Sequence, residues 1–168
     1  PYPFADKRAA QPELVVWPEG VFKDDTAHLP RKSALTLFTA RERGKNVAVL
    51  VQPDGSVSIA EKETLVPFGE YMPRFFSFLR RVSPRTDTLL PGQPSMPLQL
   101  PSGALAGTLI CYENLRPQRA RRLVSQGADF LVTQASSSWC PDPRAARMHA
   151  RFSALRAIES QRAVLHVA

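Results

Sequence analysis

The sequence predicts a mixed α/β fold, and three observations carry that expectation. Short apolar runs rich in Val, Leu and Ile, at 14–17, 47–51, 104–112 and 129–133, have the length and composition of buried strands. Stretches with helical spacing of apolar residues lie between them, so strands and helices alternate along the chain as they do in layered α/β domains. At 168 residues, 43% hydrophobic and 22% charged, the chain is long enough for one core, and it has neither a disordered composition nor an internal repeat.

The elements follow in order. Leu14, Val15, Val16 and Trp17, closed by Pro18, read as a first strand with Glu19 just past its end. Over 30–44, Ala34, Leu35 and Phe38 share one helical face while Arg31, Lys32, Arg41 and Arg43 fall elsewhere, which predicts a helix stopped by Gly44. Strands at 47–51 and 57–60 flank Pro53, Asp54 and Gly55, a strong hairpin signal, and Lys62 leaves that hairpin. Pro67, Gly69 and Pro73 make 65–72 a loop, which carries Glu70 and Tyr71.

A helix is expected over 74–82, then an irregular, proline-rich stretch to a short strand at 98–100. Ser102 and Gly103 turn that strand into the buried run 104–112. A basic helix begins near Leu115 with Ala120, Leu123 and Val124 inward, and its arginines read as a solvated face. After the strand at 129–133, Met148, Phe152, Leu155 and Ile158 line one face of a long last helix. The strand at 163–168 ends the chain, leaving a sheet edge to residues outside it or to a partner.

Composition narrows the function. Lys and Arg (22) exceed Asp and Glu (15), a net charge of +7 that suits anionic partners such as nucleic acid or lipid headgroups. No aromatic residues are interleaved with the helical arginines and no nucleic-acid-binding motif is present, so nucleic acid is not expected. Two cysteines make no disulfide framework, and His28, His149 and His166 are too scattered to predict a metal. No run approaches the roughly 18 apolar residues of a membrane span. The chain opens without Met and close to an apolar run, which predicts one domain over 1–168 that is incomplete at both ends.

Glu19, Lys62 and Cys111 each stand at the end of a predicted strand, and strand ends in α/β folds converge on one crevice. There a cysteine can attack a carbonyl carbon, an ammonium can stabilise the oxyanion, and a carboxylate can carry the thiol proton to the leaving group. A helix start near Leu115 is expected to lower the thiol pKa. Taken singly, the three read equally well as a core cysteine, a turn glutamate and a surface lysine. Pairing of Cys111 with His149 or His166 is the competing arrangement, but neither histidine sits in a motif.

Three blocks, ELVVWPEG, EKETLVPFGEYMP and LICYENLRP, together resemble the nitrilase (carbon-nitrogen hydrolase) superfamily and, within it, the apolipoprotein N-acyltransferase family. The resemblance covers nearly all of the chain and implies an α-β-β-α sandwich with mixed sheets. It implies Glu19 as general base, Lys62 as catalytic lysine and Cys111 as nucleophile. Glu70 and Glu113 become supporting carboxylates, and Tyr71, Tyr112 and Trp139 substrate contacts. SSSW and RAIESQR resemble the family's tryptophan loop and following helix, although Ser stands where Asn is common and Cys140 follows Trp139 where an aromatic residue is usual.

The implied reaction moves an acyl chain from phospholipid, through a Cys111 thioester, to the amine of a lipidated apolipoprotein, without metal or organic cofactor. It implies a cell-membrane location on the extracytoplasmic side, with surface contact through Arg74, Phe75, Phe76, Arg80 and Arg81. Self-association through the open sheet edge is a further expectation. Two other readings stand beside it: a soluble amidase acting on a small C–N bond, and a non-catalytic truncated relative.

Overall fold

A computed structural model describes residues 13–21, 34–81, 87–136, 138 and 142–168. Among them, eight strands form two four-stranded sheets. The first holds β1 (Val15–Val16), β2 (Thr36–Glu42), β3 (Lys45–Val51) and β4 (Val57–Glu61) in chain order, with β1 parallel to β2 and the other pairs antiparallel. The second holds β5 (Leu98–Gln99), β6 (Leu105–Ile110), β7 (Phe130–Gln134) and β8 (Ala163–Val167), with β5 antiparallel to β6 and the rest parallel. Parallel neighbours need long crossovers, and in the second sheet helices α1 (Pro117–Ser125) and α2 (Pro143–Ser160) supply them.

The period of two along each strand sorts the core into layers. Ala48 and Leu50 of β3 meet Leu37, Ala60, Ala106, Ile110 and Val132, so the sheets pack face to face. Val47, Val49 and Val51 turn to the opposite face with Phe38. On the outer side of the second sheet, Leu109 and Leu131 pack against Ala120 and Leu123 of α1. Leu123 is fully buried there, a contribution of about 1.5–3 kcal/mol. Gly107 permits this close approach: a Cβ on it would lie 2.7 Å from Leu131 Cδ2 and 3.1 Å from Leu123 Cβ.

Several expectations are corrected. The helix expected over 30–44 is strand β2 from Thr36 onward. Thr36, Leu37, Phe38 and Thr39 are all buried, so both faces of β2 are covered and no polar alternation marks it as a strand. Gly44 is a hairpin residue instead: Arg43 (φ 48°) and Gly44 (φ 76°) both adopt the left-handed region that a two-residue turn between Glu42 and Lys45 requires. The segment at 74–82 is a 3₁₀ segment, Arg74–Arg81, kinked at Phe76. The run at 104–112 leaves the sheet at Ile110 and tightens into a 3₁₀ turn, Cys111–Leu115, so α1 starts at Pro117.

Helix α2 begins on Asp142, whose side chain accepts from the Arg144 amide, and ends on Gln161 at φ 51°. Its Met148, Leu155 and Ile158 are exposed, and the residues it buries are Ser153 and Arg156. The expected apolar face is therefore not the packed one. Polar links replace it, since buried Asn114 donates from Nδ2 to the His149 carbonyl and to Ser153 Oγ, each at 3.0 Å. Arg119 of α1 is likewise buried rather than solvated, ion-paired with Glu63 and donating to the Ser95 carbonyl.

Candidate active site

The first sheet delivers two charged side chains. β1 is followed by Trp17 and Pro18, and the turn after them is stitched to the second sheet. Gln134 Nε2 donates to the Trp17 carbonyl at 2.9 Å, and the Glu19 amide donates to the Ala135 carbonyl at 3.0 Å. Asn46 Nδ2 on β3 then donates to Glu19 Oε1 at 2.7 Å, leaving Oε2 buried without a hydrogen bond. Lys62 extends the pairing of β4 by donating from its amide to the Asn46 carbonyl at 2.9 Å.

The Lys62 side chain is fully buried, with Nζ 2.6 Å from Glu70 Oε1 and 3.5 Å from Glu19 Oε1. Burial pushes its ammonium toward the neutral form, but the two carboxylates outweigh that and hold its pKa above the usual lysine value. Glu70 is fixed in turn by the Val66 amide, 2.7 Å from Oε2. The loop bearing it is tight: Phe68 sits at φ 62°, and its amide donates to the Tyr71 carbonyl at 2.8 Å. Behind Lys62 the chain passes so close that a Cβ on Gly92 would lie 2.3 Å from Glu61 Cβ, while the Gly92 amide donates to the Lys62 carbonyl at 2.7 Å.

The second sheet delivers the thiol. Cys111 takes φ 50° at the end of β6, a left-handed conformation unusual for a residue with a side chain. Burial pushes its thiol up to about 12, with the Glu19 carboxylate adding to the rise and Lys62 and the Ser136 amide opposing it. The expected lowering of the thiol pKa is therefore not found: the helix that was to cause it starts at Pro117, and desolvation beside a carboxylate dominates. At rest the sulfur carries its proton.

Cys111, Glu19, Glu70, Val66, Tyr112, Leu115 and His149 line one cavity of about 190 Å³. Lys62 lies behind it. Glu113 is buried at the back, taking the Glu63 and Thr64 amides on Oε1 and the Ile110 amide on Oε2, so it ties the lysine loop to the nucleophile turn. Burial raises its carboxyl pKa against those amides and Arg119. Tyr71 does not line the cavity, and Trp139 and Cys140 lie outside the described residues. Among the described residues no cluster of His, Cys, Asp or Glu could hold a metal ion.

One contributor escaped the sequence. Asn46 holds Glu19, and its only signal was a polar residue opening an apolar strand. His149, weighed from the sequence only as a competing partner for Cys111, reaches the cavity wall from α2.

Beyond the cavity, Phe75, Phe76, Phe78 and Phe68 form an exposed aromatic patch, with Phe68 edge-on to Phe76 at 5.4 Å and Phe75 to Phe76 at 5.5 Å. Arg74 is exposed beside them, whereas the Arg80 and Arg81 side chains lie outside the described residues. No described helix is long and apolar enough to cross a membrane.

Comparison with known proteins gives consistent matches. The profile of the carbon-nitrogen hydrolase family matches residues 29–168. Apolipoprotein N-acyltransferase from Synechocystis sp. is 38% identical over 105 residues, covering 61% of this chain and 20% of that protein. Its counterpart from Geobacter metallireducens is 28% identical over 175 residues, covering 91% of this chain and 33% of the relative. The chain thus spans a third or less of the length of these two curated relatives. The crystal structure of the C. elegans NitFhit protein superposes with a TM-score of 0.66 at 16% identity, over 93% of this chain and 43% of that one, a likeness of fold.

Proposed function

Because the chain belongs to the carbon-nitrogen hydrolase family, we propose that it is the catalytic part of an N-acyltransferase that works through a thioester on Cys111. The observation that carries this reading is the fully buried Lys62, held between Glu19 and Glu70 behind a cavity that Cys111 lines. A desolvated ammonium beside a thiol is suited to stabilising an oxyanion. A thiol titrating at about 12 needs a base at hand, and the Glu19 carboxylate, which bears on the Cys111 thiol, stands on the same cavity wall.

The reaction runs in two halves. Glu19 takes the thiol proton as Cys111 Sγ bonds to the ester carbonyl carbon of a phospholipid, and Lys62 stabilises the resulting oxyanion. The C–O bond then breaks, the alkoxide leaves with the proton held by Glu19, and the acyl group remains as a thioester. The α-amine of a lipidated apolipoprotein attacks that thioester, Glu19 accepts the amine proton, and the thiol is restored as the amide departs. Glu70 holds Lys62, Glu113 holds the backbone of both loops, and Tyr112 forms cavity wall, its ring carrying the Arg116 guanidinium at 5.3 Å.

The exposed phenylalanines beside Arg74 support docking to a membrane surface, the source of the acyl donor; the extracytoplasmic side of that membrane rests on the likeness to the apolipoprotein N-acyltransferases. The test is incubation with phospholipid vesicles followed by mass spectrometry of the Cys111 peptide. An acyl mass absent from Cys111→Ala supports the reading, and its absence from the folded parent chain counts against it. One observation favours a second reading. A cavity of about 190 Å³ suits a small amide, and turnover of such an amide without lipid would make the chain an amidase.

A further inference from the structure

The Cys111–His149 pairing weighed from the sequence exists in a different form. His149 Nε2 lies 3.1 Å from the backbone carbonyl oxygen of Cys111. A carbonyl oxygen only accepts, so Nε2 must carry a hydrogen at this contact. His149 Nδ1 is buried and has no hydrogen-bond partner. The imidazole is thus spent on the main chain of the nucleophile rather than on its sulfur.

Main-chain control matters at this residue. Cys111 is in the left-handed region at φ 50°, which costs free energy in a residue with a Cβ and persists only where the surroundings over-determine it. Two hydrogen bonds bracket it. Glu113 Oε2 holds the Ile110 amide on the strand side at 3.0 Å, and His149 holds the Cys111 carbonyl on the other. The histidine is itself held on a rigid element. Asn114, fully buried in the nucleophile turn, donates to the His149 carbonyl and to Ser153 Oγ, and Ser153 Oγ bonds His166 Nδ1 at 2.9 Å. The His166 ring packs 5.4 Å from that of His149.

We propose that His149 is a positioning residue for the nucleophile: by donating Nε2–H to the Cys111 carbonyl it holds the left-handed turn that directs Sγ toward Glu19 and Lys62. The proposal rests on Cys111 being the reactive thiol but not on the identity of the acyl donor. Replacing the donor frees the turn to relax, and the sulfur loses its alignment with the base.

The test reads the thiol directly in the full chain, without lipid. Iodoacetamide labelling of the Cys111 peptide is timed against the Cys140 peptide in the same digest. His149→Phe and His149→Leu, which cannot donate, are expected to label about three- to tenfold more slowly, the scale of one lost hydrogen bond. His149→Gln, which restores an amide donor, is expected to stay within about twofold of the parent. Parent-rate or faster labelling in a folded Phe or Leu variant overturns the proposal, and so does a folded Gln variant as slow as those two.

Nitrogen NMR of the unsubstituted chain supplies a measurement that needs no variant. His149 must show a protonated Nε2, and a neutral ring carrying its hydrogen on Nδ1 overturns the proposal. If labelling behaves as expected but no acyl group ever appears on Cys111, the acyltransferase reading fails and the positioning role stands.

Discussion

Replacing Glu70 with Gln tests whether the buried lysine is held by charge. Both Glu70 oxygens are occupied, Oε1 by Lys62 Nζ at 2.6 Å and Oε2 by the Val66 amide at 2.7 Å. An amide side chain offers one acceptor where two are needed and turns its NH₂ toward a donor. Lys62, fully buried, is left with Glu19 at 3.5 Å. Removing one partner of a buried ion pair costs about 3–5 kcal/mol. In a chain of this size each kcal/mol moves the thermal midpoint by about 2–4 °C, so Glu70→Gln should lower it by about 6–20 °C.

Lys62→Met should also destabilise, since it leaves Glu19 and Glu70 facing one another without the cation. The double variant Lys62→Met/Glu70→Gln removes both charges of the closer pair together and leaves only the Glu19 carboxylate without its cation. It should therefore be less destabilised than the sum of the single variants by about 1–3 kcal/mol. Thermal unfolding followed by circular dichroism of the four proteins measures the cycle. A midpoint within about 2 °C of the parent for Glu70→Gln, or additivity within about 0.5 kcal/mol, would refute the reasoning.

Other expectations follow from the same site. Glu19→Gln removes a carboxylate that raises the thiol pKa, so Cys111 should titrate below about 12 when followed by thiolate absorbance in a Cys140→Ser background, while acyl transfer is lost. An unchanged or higher titration point would mean that Glu19 does not act on the sulfur. His149 and His166 are both held below the usual histidine pKa by burial, and His166 also by its neighbour. The unfolded chain then binds protons that the folded one refuses, so stability should fall as pH drops below about 6.5, less steeply in His166→Gln. A midpoint that is flat or rises on mild acidification contradicts this. Gly92→Ala drives a methyl group into Glu61 and the Lys62 carbonyl and should cost about 1–3 kcal/mol by chemical denaturation, with parent-like stability as the contrary result.

The strands near the site were legible where local chemistry announced them. The β3–β4 hairpin carried Asp54 and Gly55, and Gly55 does adopt φ 89° with the Ser56 amide bonded to Asp54 Oδ1. Glu19, Lys62 and Cys111 were legible as strand-end residues embedded in three recognisable blocks. Strand β2 was not, because a strand buried on both faces loses the alternation that distinguishes it from a helix. Buried Arg119 was equally hidden: a helical arginine reads as solvated, and its partner Glu63 is remote in sequence. Helix α2 misled for a related reason, since its exposed Met148, Leu155 and Ile158 advertised a face that the described residues leave uncovered, while Asn114 and Ser153 make the attachment.

Glu19 and Lys62 hang from one sheet and Cys111 from the other, with the apolar filling around Ala48, Ala60, Ala106 and Ile110 between those sheets. The reach from sulfur to base is therefore set like the gap of a vice, by what is clamped in its jaws. An alanine there exchanged for valine would act as a shim, prising the reactants apart without touching either. Tolerance to change in that greasy seam should accordingly be measured in turnover as well as in melting temperature.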